Sequence, residues 1–166
     1  MSKRIAVSDL LIKEFTDEVH ATRQVLERIP EDKLSWSPHP KSMSLGQIAL
    51  HTAVIPGELA EYFSESNREV PQVLLPEAAT RKEILSAFDS SIETAEQKLA
   101  AWNEVDLMSE WQMKQGEETI MTAPRFFMLR SLMFNHWYHH RGQLTVYLRL
   151  LDVSVPAVYG SSADEN

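Results

Sequence analysis

His136 and His140 stand four residues apart, and both occupy places where an apolar side chain is expected. Phe126, Leu129, Met133, His136, His140, Leu144, Tyr147 and Leu151 step by three or four residues, the spacing of one buried helical seam. Residues four apart are offset by about 40° around a helix axis and about 6 Å along it, so the two rings face one point. His51 holds a comparable place in a second stripe formed by Ile48, His51, Ile55, Leu59 and Tyr62. A buried imidazole has two ring nitrogens to satisfy, by hydrogen bonds or by a metal. An i, i+4 pair joined by a third histidine from another helix is a nitrogen ligand set for zinc, and it also suits nickel or iron. The competing reading makes each ring a core histidine bonded to a neighbouring carbonyl or hydroxyl. On spacing alone the two readings are balanced.

The other three histidines fall outside this pattern. His20 lies among Thr16, Asp17 and Arg23 on a polar helix side, His39 sits between Pro38 and Pro40, and His139 points about 100° away from His140. The chain has no cysteine, which excludes disulfides, thiolate nucleophiles and Cys-based metal sites. A metal must therefore be held by His, Asp or Glu, and a thiol reaction needs an external thiol. Sixteen basic against twenty-four acidic residues give a net charge of −8, and the basic residues are scattered singly. That balance argues against a nucleic-acid partner. No stretch approaches the roughly 20 apolar residues that span a bilayer. Met1 to Ser8 has charges but no apolar segment of signal-peptide kind, so a cytoplasmic protein with no membrane partner is expected.

Four amphipathic helices are expected to carry these residues, over about 8–29, 44–63, 80–103 and 122–151. Ser8, Ser44, Thr80 and Thr122 are the candidate N-caps. Thr80 to Glu83 has the form of a capping box. Pro56 interrupts the second helix and predicts a kink, whereas Pro124 suits a first turn. The run "PEDKLSWSPHPKSMS" reads as an ordered loop around Trp36, and periodicity disappears between Asn103 and Met121. A weak two-stranded signal surrounds Gly116. With no repeat and no second domain visible, the expectation is one all-α domain over 1–166, an up-and-down four-helix bundle.

"SLGQIALH" at Ser44 to His51, followed by "HWYHHRGQLTVYLRLLDVSVPAVYG" at His136 to Gly160, resembles the DinB/YfiT-like family of metal-dependent proteins. The loop "LSWSPHPKSMS" is similar to that family's as well. The resemblance implies a four-helix bundle, commonly dimeric, with one divalent metal ion on His51, His136 and His140. Zinc or nickel stands ahead of iron or manganese. Relatives of this type include S-transferases that use low-molecular-weight thiols and a thiol-dependent isomerase.

The expected activity is thus a metal-dependent, thiol-dependent S-transferase acting on a small electrophile. The alternatives are a metal-dependent hydrolase using the same histidines, or a metal-stabilised binding or stress-response module without turnover. Gln47 and Glu58 lie near the face of His51 and are candidates to orient a ligand or act as a base, against a plain reading as surface polar residues. Arg141 is expected to pair with an acidic residue. Trp36 and Tyr159 are candidate pocket aromatics that could equally cover the core. The partners expected are a small-molecule substrate, an external thiol and a second copy of the chain. His139, Trp137 and Val146 project outside the main seam of the fourth helix as the hint of that homodimer.

Overall fold

A computed structural model describes residues 5–165; the first four residues and Asn166, which the single-domain expectation includes, lie outside the described residues. The long helices expected are present. Helix α1 covers Val7–Leu26, α2 Leu45–Tyr62 and α3 Arg81–Ala101. The short α4 covers Glu104–Met108. The last helix, α5, runs over 125–150 as Arg125–Met128, a π-helical stretch Leu129–Phe134, and Asn135–Leu150.

The all-α expectation is overturned. Besides five helices there is a three-stranded mixed sheet of β1 (Asn67–Glu69), β2 (Glu110–Gln115) and β3 (Glu118–Pro124), in the order β1-β2-β3. Strands β2 and β3 form an antiparallel hairpin in register Gln115↔Glu118, and Gly116 at its tip takes φ +63°, the left-handed region that favours glycine. β1 adds in parallel, Arg68 opposite Met113. The period-2 signal in β2 is confined to Trp111 and Met113, which turn toward the core between polar neighbours. Trp111 is fully buried between Tyr62 and Phe63, and that anchorage makes a short polar segment a strand.

A simple up-and-down order is overturned too. α1 packs on α3 and α5, α2 packs on α3 and α5, and α2 stands across the bundle from α1. Short connections force sequential helices to be neighbours, but residues 27–44 form a long proline-marked connection that carries the chain past that position.

Several local expectations are met and several shift. Ser44 caps α2 with a full capping box, its side chain taking the Gln47 N–H and the Gln47 side chain taking the Ser44 N–H. Thr80 caps α3 by accepting from the Glu83 N–H, but the Glu83 carboxylate reaches the N–H of Ala79 instead of Thr80. Ser8 is not a cap, because α1 already begins at Val7. Thr122 ends up inside β3, and α5 starts only after Pro124, where the Arg125 N–H donates to the Ser109 carbonyl.

α2 continues through Pro56 by borrowing from α3. Pro56 has no N–H to give, and the Ser91 hydroxyl enters the interrupted ladder, accepting from the Gly57 N–H at 2.8 Å and donating to the Val54 carbonyl at 3.1 Å. A Cβ at position 57 would stand 2.8 Å from the Ser91 backbone, so only glycine allows α2 and α3 this close. This clasp lies between His51 and Glu58 and fixes the helix that presents both. Among the described residues no helix is long and apolar enough to cross a membrane.

Candidate metal centre

The three seam histidines converge. Nε2 of His136 lies 3.3 Å from Nε2 of His51 and 2.8 Å from Nε2 of His140, and one ligand atom from each ring lies within 4.8 Å of the others. His51 comes from the second turn of capped α2, and the other two come from one face of α5 just beyond its π stretch. A π stretch loosens the regular i→i−4 ladder. Leu132, inside that stretch, lies one turn before His136 and lines the same cleft. Nδ1–H of His140 donates to Oε1 of Gln143 at 2.7 Å.

That outer bond determines what His140 turns inward. With Nδ1–H of His140 given to Gln143, the neutral ring turns the lone pair of its Nε2 toward Nε2 of His136. At 2.8 Å that lone pair accepts a proton from His136 or, with the other two rings, takes a cation. Nitrogens bound to one ion at about 2.1 Å stand roughly 3.0–3.4 Å apart, close to the separations here. The donor set fits a divalent ion, and the outer hydrogen bond of His140 to Gln143 is of the kind that holds a ligating imidazole in one tautomer.

The rings are disposed to stay neutral. Burial, then the charge of His136, lowers the His51 pKa to about 4. Burial takes His140 to about 4 as well, opposed by its Gln143 bond and assisted by the other histidines. His136 is lowered by burial, with the Leu132 hydrogen bond acting the other way.

One side of the cluster opens into a cleft of about 360 Å³. Its floor is a stripe of α2, with Glu58 and Tyr62 beyond His51, and Leu132 and Met113 face it from α5 and β2. Its outer wall is the extended strap after β1, where Pro71 to Leu74 line the opening. The strap is tied down at both ends, by Val70 N–H to the Lys114 carbonyl at 2.8 Å and by Nε2 of Gln47 to the Leu75 carbonyl at 2.9 Å. Glu58 lines the cleft from an exposed position, and partial desolvation there raises its carboxyl pKa. Gln47 is engaged at both ends of its amide, in the Ser44 capping box and with the strap.

Other residues singled out in the sequence sit elsewhere. His20, His39 and His139 are exposed. Trp36 packs edge-on against Tyr147, 5.7 Å between centroids. Arg141 is 2 % exposed and pairs with Glu18 at 2.5 Å, while Tyr159 donates to the same carboxylate at 3.0 Å. Gln143 was visible in the run His140-Arg141-Gly142-Gln143, three residues beyond a ligand and on its face, but nothing short of the folded helix shows which nitrogen it takes. Met113 and the strap of the cleft carry no spacing signal that reading the chain could use.

Comparisons with known proteins agree with this picture. A model of the DinB family matches residues 1–166, and the chain belongs to that family. It is 24% identical over 163 residues to the protein YrdA of Bacillus subtilis (strain 168), covering 95% of this chain and 90% of that one. The fold is similar to a DinB-like protein from Bacillus cereus ATCC 10987, with TM-score 0.70, 22% identity, and 93% and 98% of the two chains covered. It is also similar to the DinB-like protein YjoA of Bacillus subtilis, with TM-score 0.71, 19% identity, and 92% and 99% covered.

Proposed function

Proceeding from that membership, we propose that the chain is a metal-dependent transferase that joins a low-molecular-weight thiol to a small electrophile, with His51, His136 and His140 holding one divalent ion. The observation that carries the reading is the convergence of three Nε2 atoms, with the outward nitrogen of His140 already given to Gln143. A divalent ion supplies Lewis acidity there, favouring thiolate over thiol near neutral pH. Zinc and nickel suit three imidazoles best, with iron and manganese next.

The protein's own residues do the rest. Gln143 holds the His140 ring in one tautomer, and the clasp at Ser91 fixes the helix that carries His51. The cleft walls exclude bulk water from the reacting atoms, while its mouth lets the thiol proton pass to solvent. A sulfur–carbon bond forms as the substrate's leaving group departs with its electron pair. Because the chain has no cysteine, no internal thiol replaces the cosubstrate.

The test is turnover of a model electrophile with a panel of small thiols, in protein reloaded with zinc, nickel, manganese or iron, against His136→Ala. The expected result is turnover that needs both thiol and metal and is lost in the variant. Equal rates in the two proteins overturn the reading, and turnover without thiol transfers it to a hydrolase.

The same reading includes a homodimer. Val146 and Leu150 are each 57% exposed on α5, beside exposed His139, and isologous pairing would cover them. Trp137 drops out of that surface, since it is fully buried in its own protomer against Phe15 and Phe88. Light scattering should give twice the 19.0 kDa chain mass.

A further inference from the structure

The floor of the cleft is a single stripe of α2 running from His51 through Ile55, Glu58 and Leu59 to Tyr62. Seven residues separate His51 from Glu58, which puts them about 10 Å apart along the axis and within about 20° around it. The facing walls are apolar, from Val73 and Leu74 of the strap, Met113 and Leu132. Among the described residues, Glu58 is the only side chain with a formal charge that lines this space.

Several helix carboxylates are paired. Glu61, three residues on, pairs with Lys98 at 2.7 Å; Glu14 pairs with Arg130 at 2.6 Å and Glu18 with Arg141 at 2.5 Å. Glu58 is exposed and has no ion pair or hydrogen-bond donor among the described residues, and partial desolvation by the cleft raises its carboxyl pKa. Arg68 influences Tyr62 at the outer end, but its guanidinium pairs with Glu65 at 3.1 Å. The Tyr62 hydroxyl donates to the Glu69 carbonyl at 2.6 Å. The histidine cluster is about two helical turns away, beyond the roughly 4–6 Å at which a counter-charge governs a carboxylate. An unpaired carboxylate at the open side of an apolar cleft stays solvated until a ligand brings the opposite charge to it.

We propose that the cleft takes a small, largely apolar substrate with one cationic group, an ammonium or its like, which seats on Glu58 about 10 Å from the histidine cluster. This rests on the reading of the cleft as the active site. Substrates bearing carboxylate, sulfonate or phosphate at that end are rejected, because the lining offers them no cation and the chain carries a net charge of −8.

The absence of native cysteine allows a test that needs no turnover. Leu59→Cys on the floor, and separately Val73→Cys on the strap, place one thiol in the cleft; Ala100→Cys on exposed α3 is the control. Each full-length, metal-loaded protein is labelled with a trimethylammonium-ethyl and a sulfonatoethyl methanethiosulfonate, and the ratio of the two rates is measured. The ratio should favour the cationic reagent in the cleft, and Glu58→Gln should lower it about three- to tenfold at positions 59 and 73 but not at 100. A ratio that Glu58→Gln leaves unchanged at both cleft positions overturns the proposal. Thiol-dependent turnover with a flat ratio sinks this inference and spares the transferase, whereas a shifted ratio without turnover does the reverse.

Discussion

His140 and Arg141 are neighbours in the chain and look into opposite halves of the bundle. Arg141 reaches α1, where Nη1 meets the Glu18 carboxylate at 2.5 Å and the Thr22 hydroxyl at 3.1 Å, and Nη2 meets the Tyr159 hydroxyl at 2.5 Å. The guanidinium also lies 5.0–5.3 Å from the rings of Tyr159 and Tyr138. Charge and donors there are answered by the protein itself. On the other side His140 gives its outward nitrogen to Gln143, and the inward nitrogens of the three rings face each other. Both regions bury polar groups on the same helix. Full internal satisfaction marks a structural joint, and ring nitrogens left converging beside a cleft mark a place suited to something the chain does not contain.

The largest effect expected from breaking this contrast lies on the Arg141 side. Arg141→Ala leaves Glu18 buried without its partner and should cost about 3–5 kcal/mol in denaturant unfolding. Adding Glu18→Leu to Arg141→Met should restore most of it, and neither protein should lose metal stoichiometry. A loss of metal in Arg141→Met with the fold intact would show that the two halves are coupled.

On the other side the ordering reverses. His140→Ala should take bound metal to below about a tenth of full occupancy, because a ligand is gone, while costing the metal-free protein only about 1–2 kcal/mol for the lost hydrogen bonds of the ring. Elemental analysis together with thermal unfolding of both forms separates the two consequences.

Acid provides a gentler probe. The His51 and His140 pKa values of about 4 lie below the unfolded value of about 6.5, so below that value the unfolded chain binds more protons. The stability these rings contribute is present above pH of about 6.5 and is lost as pH falls toward 4. Metal-free protein should show this loss in its denaturation midpoint, while bound metal shifts it to lower pH. A midpoint flat between pH 7 and 4 (roughly the titration window) would contradict the burial of the rings.

The smallest effect belongs to the outer hydrogen bond. Gln143→Leu should lower metal affinity about 10- to 100-fold, the usual consequence of freeing a ligating imidazole to turn, with stability nearly unchanged. Competition with a coloured chelator reads it directly.

Much of this contrast was legible beforehand in one half and hidden in the other. The seam of α5 and the stripe of α2 are periodicities, and periodicity reports which face of a helix is buried regardless of what buries it. The triad His51, His136 and His140, the helices themselves and the cap at Ser44 follow from such local rules. The second buried stripe of α5, with Phe134, Trp137 and Arg141, is less visible because a helix at the middle of a bundle buries more than one face and its polar members look like surface. Trp137 consequently resembled an interface residue.

What chain order could not convey are matters of long-range partnership. A strand of three residues, Asn67–Glu69, exists only because β2 lies beside it, and β2 exists because Trp111 finds a place between Tyr62 and Phe63. The placing of α1 across from α2 depends on where the long connection of residues 27–44 carries the chain, and a loop of that length permits more than one route. Residue types and spacing by themselves determined four long helices, a chain without internal thiols and three histidines on buried faces. Only the tertiary structure decided which ring nitrogens face inward, which carboxylate stays unpaired and what walls the cleft, because each of these depends on contacts between residues far apart in sequence that no local periodicity encodes.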